Sequence, residues 1–344
     1  MNKIIEEKYK SHLLKDNRTR LEEVIPLAAP FTVLVEVSRL CNLRCSFCPQ
    51  SDHNKFTLFK DNLLSMSCFK KIIAQMKEFP RKIKKLYMHG TGESLLNPLL
   101  PNMIQLLKAE NIVESIDMTS NGTLLSPEIS QKLLDAGLDH LHISVEALSA
   151  QGYQDIAGAN NFDFEKFIEH IRFFNEIKNN CRLTIKIANL SVKTDTAREK
   201  FLEIFSSLCD EIFIEKIYPI WPDFELPYAY QANEEGQYGQ PVSEKKVCPQ
   251  IFTVLAIKCD GNISPCSVDW NNQVCLGSIY ANTLLEVWNG DALKTLRFKH
   301  LEHGRNTVST CARCGLPKYS CIDNIDSFCD KIIDNLQSQE RIVK

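Results

Sequence analysis

From residue 31 to residue 219 the chain alternates between two rhythms. Short runs rich in β-branched and aromatic residues predict six strands: "FTVLVEV" (31–37), "KKLYMHG" (84–90), "ESIDMTS" (114–120), "HLHISVE" (140–146), "LTIKIAN" (183–189) and "EIFIEKIYP" (211–219). Between them, apolar positions recur at helical spacing over 64–78, 98–110, 126–136, 163–178 and 195–208. Pro127 suits the first turn of the third of these helices and Gly137 its C-terminal cap. Strands alternating with helices imply right-handed crossovers and a parallel sheet. Six such units predict an α/β fold of the open, partial (β/α)6 TIM-like type rather than the complete eight, with a doubly wound sheet as the structural alternative.

After Pro219 the pattern is lost. The stretch "YPIWPDFELPYAYQANEEGQYGQPVSEKK" has no clean period and reads as a boundary segment that covers the barrel mouth. Past Cys248 a hairpin is expected, "IFTVLAIK" returning through "CDGN" to "ISPCSV", because Asp260-Gly261 is a strong turn signal. A helix is expected from about Leu284 to His300, and a final surface helix beyond Ile322. The predicted organisation is an N-terminal extension (1–30), the barrel (31–219), a linker or cover (220–247), a small C-terminal domain (248–321) and a helical tail (322–344).

Composition narrows the function. A chain of 344 residues that is 44% hydrophobic can bury a substantial core. Its net charge of −3 gives no basic stripe for nucleic acid, and "RKIKK" (81–85) reads as a solvated helix-to-strand connection. No apolar window reaches membrane-span length, and the charged N-terminus lacks the apolar core of a signal peptide, so a cytoplasmic protein is expected. The fourteen cysteines then point to metal or catalysis, since a reducing compartment disfavours disulfides. Three lie at 41–48 and eight at or beyond 248; Cys68, Cys181 and Cys209 read as small buried hydrophobes.

The first group, Cys41, Cys45 and Cys48, has the spacing C-x3-C-x2-C directly after the first strand, where a parallel barrel places its active face. Thiolates select soft metals and iron–sulfur clusters. Structural zinc needs four ligands, and the nearest further candidate is His53. A 4Fe-4S cluster held by three cysteines keeps one iron open to another ligand.

At this point the chain resembles a known family. "CNLRCSFC" is similar to the cluster loop of radical S-adenosylmethionine (radical SAM) enzymes. The resemblance implies that the open iron binds the amino and carboxylate groups of SAM, and that reductive cleavage yields methionine and a 5′-deoxyadenosyl radical. It places Phe47 at the position whose backbone meets the adenine. "HGTGES" (89–94) looks like the family's Gly-Gly-Glu-Pro motif, with Gly92 giving close backbone approach and Glu93 facing the SAM ammonium; Thr91 and Ser94 replace the first glycine and the proline. "TSNGTLL" (119–125) is similar to the family's Thr-Asn-Gly turn and brings in Asn121. In "ISVEA" (143–147), Ser144 matches a SAM-contacting serine, and Glu146 stands where the family commonly has aspartate. The plainer alternatives are a strand-to-helix turn at Glu93, a simple turn at Asn121-Gly122 and solvent-facing residues at 144 and 146.

The second group, Cys248, Cys266, Cys311 and Cys314, has the spacing C-x17-C-x44-C-x2-C. Four thiolates can close around one cluster or one zinc ion, and sequence chemistry alone favours zinc. The resemblance reverses that choice: the stretch from Cys248 to Cys314 looks like the SPASM/twitch module of radical SAM enzymes, which carries auxiliary 4Fe-4S clusters. Cys321 and Cys329 depart from the full module's spacing, which implies the shorter one-cluster twitch form, as in the aminocyclitol dehydrogenase of the butirosin pathway. Cys259 has no assigned role, and Cys275 reads as a packing or surface thiol, with a hydrogen-atom donor as its alternative. The implied protein is a radical SAM oxidoreductase that removes two electrons from a small hydroxylated substrate, a sugar or aminocyclitol, and draws electrons from a reductant protein such as flavodoxin or ferredoxin. The alternatives are a peptide-modifying maturase or epimerase, disfavoured because only 40 residues precede Cys41, and a non-catalytic metal-binding interaction protein.

Overall fold

The computed structural model of the protein describes residues 18–52, 62–227 and 234–343. Most of the expected N-terminal extension, His53 and part of the expected cover segment lie outside the described residues. Among the described residues nine strands form one sheet in the order β6-β5-β4-β3-β2-β1-β7-β8-β9. β1 (Thr32–Val35), β2 (Ile83–Met88), β3 (Val113–Ser120), β4 (His140–Val145), β5 (Arg182–Ala188) and β6 (Glu211–Glu215) are the six expected strands, and each is parallel to its neighbour. The crossovers are α1 (Met66–Met76), α2 (Leu100–Glu110), α3 (Pro127–Asp135), α4 (Ala150–Ala157) with α5 (Phe164–Ile177), and α6 (Asp195–Phe205).

Short polar side chains start these helices. Ser65, Ser126, Ser149, Asp163 and Thr194 each accept a hydrogen bond from the backbone N–H three residues on, at 3.0–3.2 Å. Pro127 occupies the first turn of α3 as expected, and Gly137, at φ 91°, follows its C-terminal cap. Helix α4 was not expected. Gly152 and the surrounding Gln and Asp residues weaken its apolar period, yet the glycine is required, since a Cβ there would lie 2.7 Å from that of Ala147.

Strand alternation gives the sheet two different faces. Leu86, Met88, Ile116, Met118, Leu141, Ile143, Leu183 and Ile185 are fully buried in the main apolar core. The opposite face carries Lys85, Tyr87, Asp117, Thr119, His140, His142, Thr184 and Lys186, which interact with one another across neighbouring strands. Buried parallel strands ordinarily read as near-continuous apolar runs; here one face is a polar wall. The wall curves. Glu215 of β6 acts electrostatically on Tyr87 of β2, and Lys186 of β5 on His89 just beyond β2. Four strand spacings in a flat sheet would separate β2 from β6 by about 19 Å. The outcome is an open, partial barrel around a polar chamber. Lys85 corrects one expectation: it is no solvated connection residue, but the first chamber-facing side chain of β2, 2.6 Å from Asp117.

The C-terminal hairpin, β7 (Val254–Ile257) and β8 (Asn262–Ser264), turns at Lys258–Gly261 with Gly261 at φ 83°. It does not form a sheet of its own: β7 lies parallel to β1, and the hairpin, with β9 (Gly277–Ser278), extends the barrel sheet. The helix expected from Leu284 to His300 is two, α7 (Leu284–Asn289) and α8 (Asp291–His303), broken at Gly290. The tail forms α9 (Cys329–Val343), which is more than a surface helix because Ile332 is fully buried. Among the described residues no helix is long and apolar enough to cross a membrane.

Asn97 closes the joint between β1 and α1. Its amide donates to Val37 O (2.8 Å) and Leu64 O (3.0 Å), and its oxygen accepts from Leu99 N (3.0 Å), all at 2% exposure. Asn97→Ala leaves these buried backbone groups unpaired and should lower stability by about 2 kcal/mol or more, read as a fall in the midpoint of chemical denaturation. A loss under about 0.5 kcal/mol would mean the joint is held by packing alone.

Candidate metal and cofactor site

The loop that follows β1 carries Cys41, Cys45 and Cys48, and it is held in place from four sides. Beneath it, Gly92 packs so closely that a Cβ would lie 2.4 Å from Leu40 O and 2.5 Å from Ser38 O. The close approach expected of this glycine therefore exists, and it is made to the cysteine loop itself. On the α4 side, Arg44 N and Ser46 N donate to the carbonyls of Ala157 (2.7 Å) and Ile156 (2.9 Å), groups that the end of the helix would otherwise leave open. Gln50 donates to Arg39 O at 2.6 Å. From β3, Asn121 donates to Asn42 Oδ1 (2.9 Å) and reaches Cys41 Sγ (3.9 Å).

Glu93 ties the strand ends together. Its backbone N–H donates to Leu40 O at 2.7 Å. Its Oε1 accepts from Leu95 N (2.9 Å) and Ser120 Oγ (2.8 Å), and its Oε2 from Asn121 N (2.7 Å). Burial nevertheless holds its carboxyl above the usual range. Glu93 also caps the short turn Ser94–Leu96, so the plainer reading of it as a turn residue holds alongside any ligand role. Ser144 is half-buried on the chamber face of β4. Glu146 is 6% exposed; burial pushes its carboxyl up to about 7 against the pull of Lys186, and its side chain bonds with Cys45. Phe47 packs half-buried against the core.

A polar tie at the other edge escaped the sequence reading. Glu36 is fully buried; it accepts from Arg39 Nε (3.0 Å) and Thr91 Oγ1 (2.9 Å), and Lys258 and Arg39 hold its carboxyl low despite burial. Cys259 donates its thiol to Glu36 O at 3.1 Å, which gives this unassigned cysteine a role in joining the hairpin to the cysteine loop. Cys275 is exposed, and Cys68, Cys181 and Cys209 are buried as expected.

The second cysteine group converges as well. Cys248, Cys266, Cys311 and Cys314 line one cavity together with Asp269 and Leu316. Arg305, 8% exposed, organises its knuckle: the guanidinium donates to Cys311 O, to Cys314 O (2.9 Å) and to Lys245 O (3.1 Å). No sequence pattern marks this arginine. Cys321 lies outside the cavity lining and bonds with Cys248, holding that thiol below its ordinary value while its own is held well above.

The donor chemistry can be tested against the possible occupants. Burial pushes the thiols of Cys41 and Cys48 up to about 11 and about 12 and raises that of Cys45 well above its ordinary value; Cys311 and Cys314 reach about 12 and Cys266 is also well up. Such thiols ionise only for a strongly bound cation or cluster. Four thiolates around one zinc ion would lie about 3.8 Å apart. Among the described residues, neither group has three sulfurs within 4.8 Å of one another. Neither group is therefore drawn in to single-ion spacing, and thiolates are the donors that iron–sulfur clusters take.

Comparison with known proteins agrees. The description "Radical SAM superfamily" matches residues 35–205, and "Iron-sulfur cluster-binding domain" (SPASM) matches residues 248–315. The chain is 33% identical over 132 residues to a probable GTP 3',8-cyclase of Methanococcus maripaludis, covering 38% of this chain and 42% of that protein. It is 25% identical over 181 residues to a GTP 3',8-cyclase of Clostridium perfringens, covering 51% of each. The match thus spans about half, or less, of these curated relatives. Among solved structures, BtrN in complex with AdoMet and 2-DOIA is similar with a TM-score of 0.54 at 16% identity, over 87% of this chain and 98% of that one. SuiB of Streptococcus suis bound to its precursor peptide SuiA gives 0.61 at 16%, over 88% and 73%. At these identities the structures show a shared fold, an α/β open barrel. With the cysteine loop at the strand ends and both domain matches in place, the chain belongs to the radical SAM superfamily and carries a C-terminal SPASM domain, an enzyme whose cofactors are 4Fe-4S clusters and SAM.

Proposed function

We propose that this enzyme is an oxidoreductase that removes two electrons from a small hydroxylated substrate, a sugar or aminocyclitol, with one auxiliary cluster. The observation that carries this reading is the chamber, whose wall is polar on every strand from β2 to β6 and suits a ligand dense in hydroxyl or amino groups. Cys41, Cys45 and Cys48 hold the SAM-binding cluster, and Cys248, Cys266, Cys311 and Cys314 the auxiliary one. When bound, these cofactors supply a 5′-deoxyadenosyl radical that takes a hydrogen atom and an acceptor for the remaining electron.

The chain's own residues do the rest. Oxidation of a carbinol to a ketone also releases the hydroxyl proton, which needs an acceptor. His89 faces the chamber and burial pushes its pKa to about 4, so its neutral imidazole keeps one nitrogen that accepts a hydrogen bond from the substrate hydroxyl, and the proton passes on to solvent. Glu215, paired with Lys186 at 2.7 Å and Gln237 at 2.8 Å, fixes the far wall. Glu93, Asn121 and Ser144 border the SAM end, Gly92 lets the cysteine loop approach, and Phe47 and Glu146 flank the thiols. The GTP 3',8-cyclase relatives are matched over too little of their length for their substrate to be carried over.

The test is anaerobic incubation with SAM, reductant and carbinol-deuterated aminocyclitols and sugars. Deuterium in 5′-deoxyadenosine is expected, with a ketone product that has lost the carbinol deuterium and the hydroxyl hydrogen. Transfer from peptides and from none of the polyols would overturn the reading in favour of a peptide-modifying enzyme.

Three substitutions divide the roles. Replacing Cys41, Cys45 and Cys48 with alanine should abolish SAM cleavage while leaving about four iron atoms per chain at the C-terminal site; continued 5′-deoxyadenosine production would refute the ligand assignment. Glu93→Ala should weaken SAM binding on the order of ten- to hundred-fold, the worth of a charge-assisted hydrogen bond plus a loosened strand end. Calorimetry that returns an unchanged dissociation constant alongside a lowered melting point would leave Glu93 as a structural tie alone. Cys314→Ala should lose the auxiliary iron and most substrate oxidation, yet still cleave SAM without coupling; full iron and normal turnover would return Cys321 to consideration as a ligand.

A further inference from the structure

Two histidines and a carboxylate meet on the chamber face, at a distance from the cysteine loop. Asp117 stands on β3, and its register partner on β4 is His140; His142 follows two residues later on the same face. All three are buried, at 1%, 5% and 6% exposure. His140 Nδ1 lies 3.5 Å from Asp117 Oδ2, and His142 Nε2 lies 3.6 Å from the same oxygen. Among the described residues this is the one trio of His, Cys or carboxylate groups whose ligand atoms all fall within 4.8 Å of one another. Asp117 lies four residues before Asn121 on its strand, so the trio sits about 13 Å below the SAM end of the chamber.

One tautomer of His140 leaves a lone pair facing inward. When the Thr184 hydroxyl donates to Glu211 Oε2 (3.3 Å), it accepts from His140 Nε2–H (2.8 Å). A carboxylate–hydroxyl–imidazole chain of this kind orients metal-binding histidines. In that tautomer the Nδ1 lone pair faces Asp117 Oδ2, and a cation fits between the two. A proton there would draw nitrogen and oxygen to about 2.7–2.9 Å. The observed separations of 3.5 and 3.6 Å are longer, and are close to the edge of a tetrahedron around an ion with ligands at about 2.1 Å, which is about 3.4 Å.

We propose that Asp117, His140 and His142 form a binding site for one divalent metal ion of the zinc class. Three protein ligands leave a position open toward the chamber, where a hydroxyl or carbonyl oxygen of a substrate fits. Lys85 competes for the site: its ammonium lies 2.6 Å from Asp117 Oδ2, with the side chain 29% exposed. That oxygen cannot hold an ammonium and a metal ion together, so Lys85 turns outward when the metal enters.

The site is tested without turnover, so its failure is separate from that of the oxidoreductase reading. Cluster-replete full-length protein is equilibrated anaerobically with zinc and a weak chelator, then freed of excess metal by gel filtration. About one retained zinc per chain is expected, with a nitrogen and oxygen first shell at the zinc X-ray absorption edge. Asp117→Asn and His142→Gln should each weaken binding by about tenfold or more. Lys85→Met should tighten it by about tenfold, because a neighbouring positive charge is removed. Failure to retain zinc, a sulfur-containing first shell, or retention unchanged in Asp117→Asn would overturn the proposal. If the carboxylate variant does not fold, the sign of the Lys85→Met effect decides: tighter binding supports the site and unchanged or weaker binding refutes it.

Discussion

The gathering of seven thiols into two partly or fully buried groups constrains the rest of this molecule. A thiolate is poorly hydrated there, and burial pushes the thiols of Cys41, Cys45 and Cys48 up. The loop that holds these three has no regular structure to satisfy its backbone, so other elements must do it. Helix α4 lends the carbonyls of Ile156 and Ala157, Glu93 lends its N–H, and Gly92 gives up its side chain to let the loop lie flat. Each of these groups is at the end of a strand or helix, where backbone donors and acceptors are left over.

The same requirement explains why the two modules share one sheet. β7 pairs with β1, and the hairpin turn that follows brings Lys258 and Cys259 against Glu36 and Arg39, immediately ahead of the cysteine loop. Glu36 is buried with a guanidinium and an ammonium, a combination that is costly to break when one partner is lost. The hairpin that leads from Cys248 to Cys266 is thus fixed to the loop that carries Cys41. Arg305 repeats the device on the far side, where one buried cation gathers the carbonyls of Cys311 and Cys314.

Between these centres the chamber depends on strand alternation. Residues that share the core face of each strand are apolar and hold the helices, which frees the other face for imidazoles, carboxylates and ammonium groups. In-register pairing then sets polar residues of neighbouring strands beside one another in layers, from Asp117 and His140 to Thr184 and Glu211. A one-residue slip would exchange the faces and bury the charges against the helices. The apolar face therefore specifies the register that makes the polar face useful.

The sequence by itself determined what is local. Period-two and period-3.6 patterns placed all six parallel strands and five of the crossover helices, and the C-x3-C-x2-C spacing after β1 marked the loop as a candidate for soft-metal or cluster chemistry. Helix α4 was illegible because Gly152 and its polar neighbours dilute the apolar period, although the carbonyls at its end support the cysteine loop. Only the tertiary structure decided what depends on partners distant along the chain. Glu93 meets Ser120 and Asn121, Arg305 meets Cys311 and Cys314 by way of a turn no motif marks, and the H-x-H of β4 gains meaning only where Asp117 stands beside it. Hydrophobic periodicity is written within a few turns of chain; a buried polar group is satisfied by whichever element the fold brings to it, and that choice is made by packing.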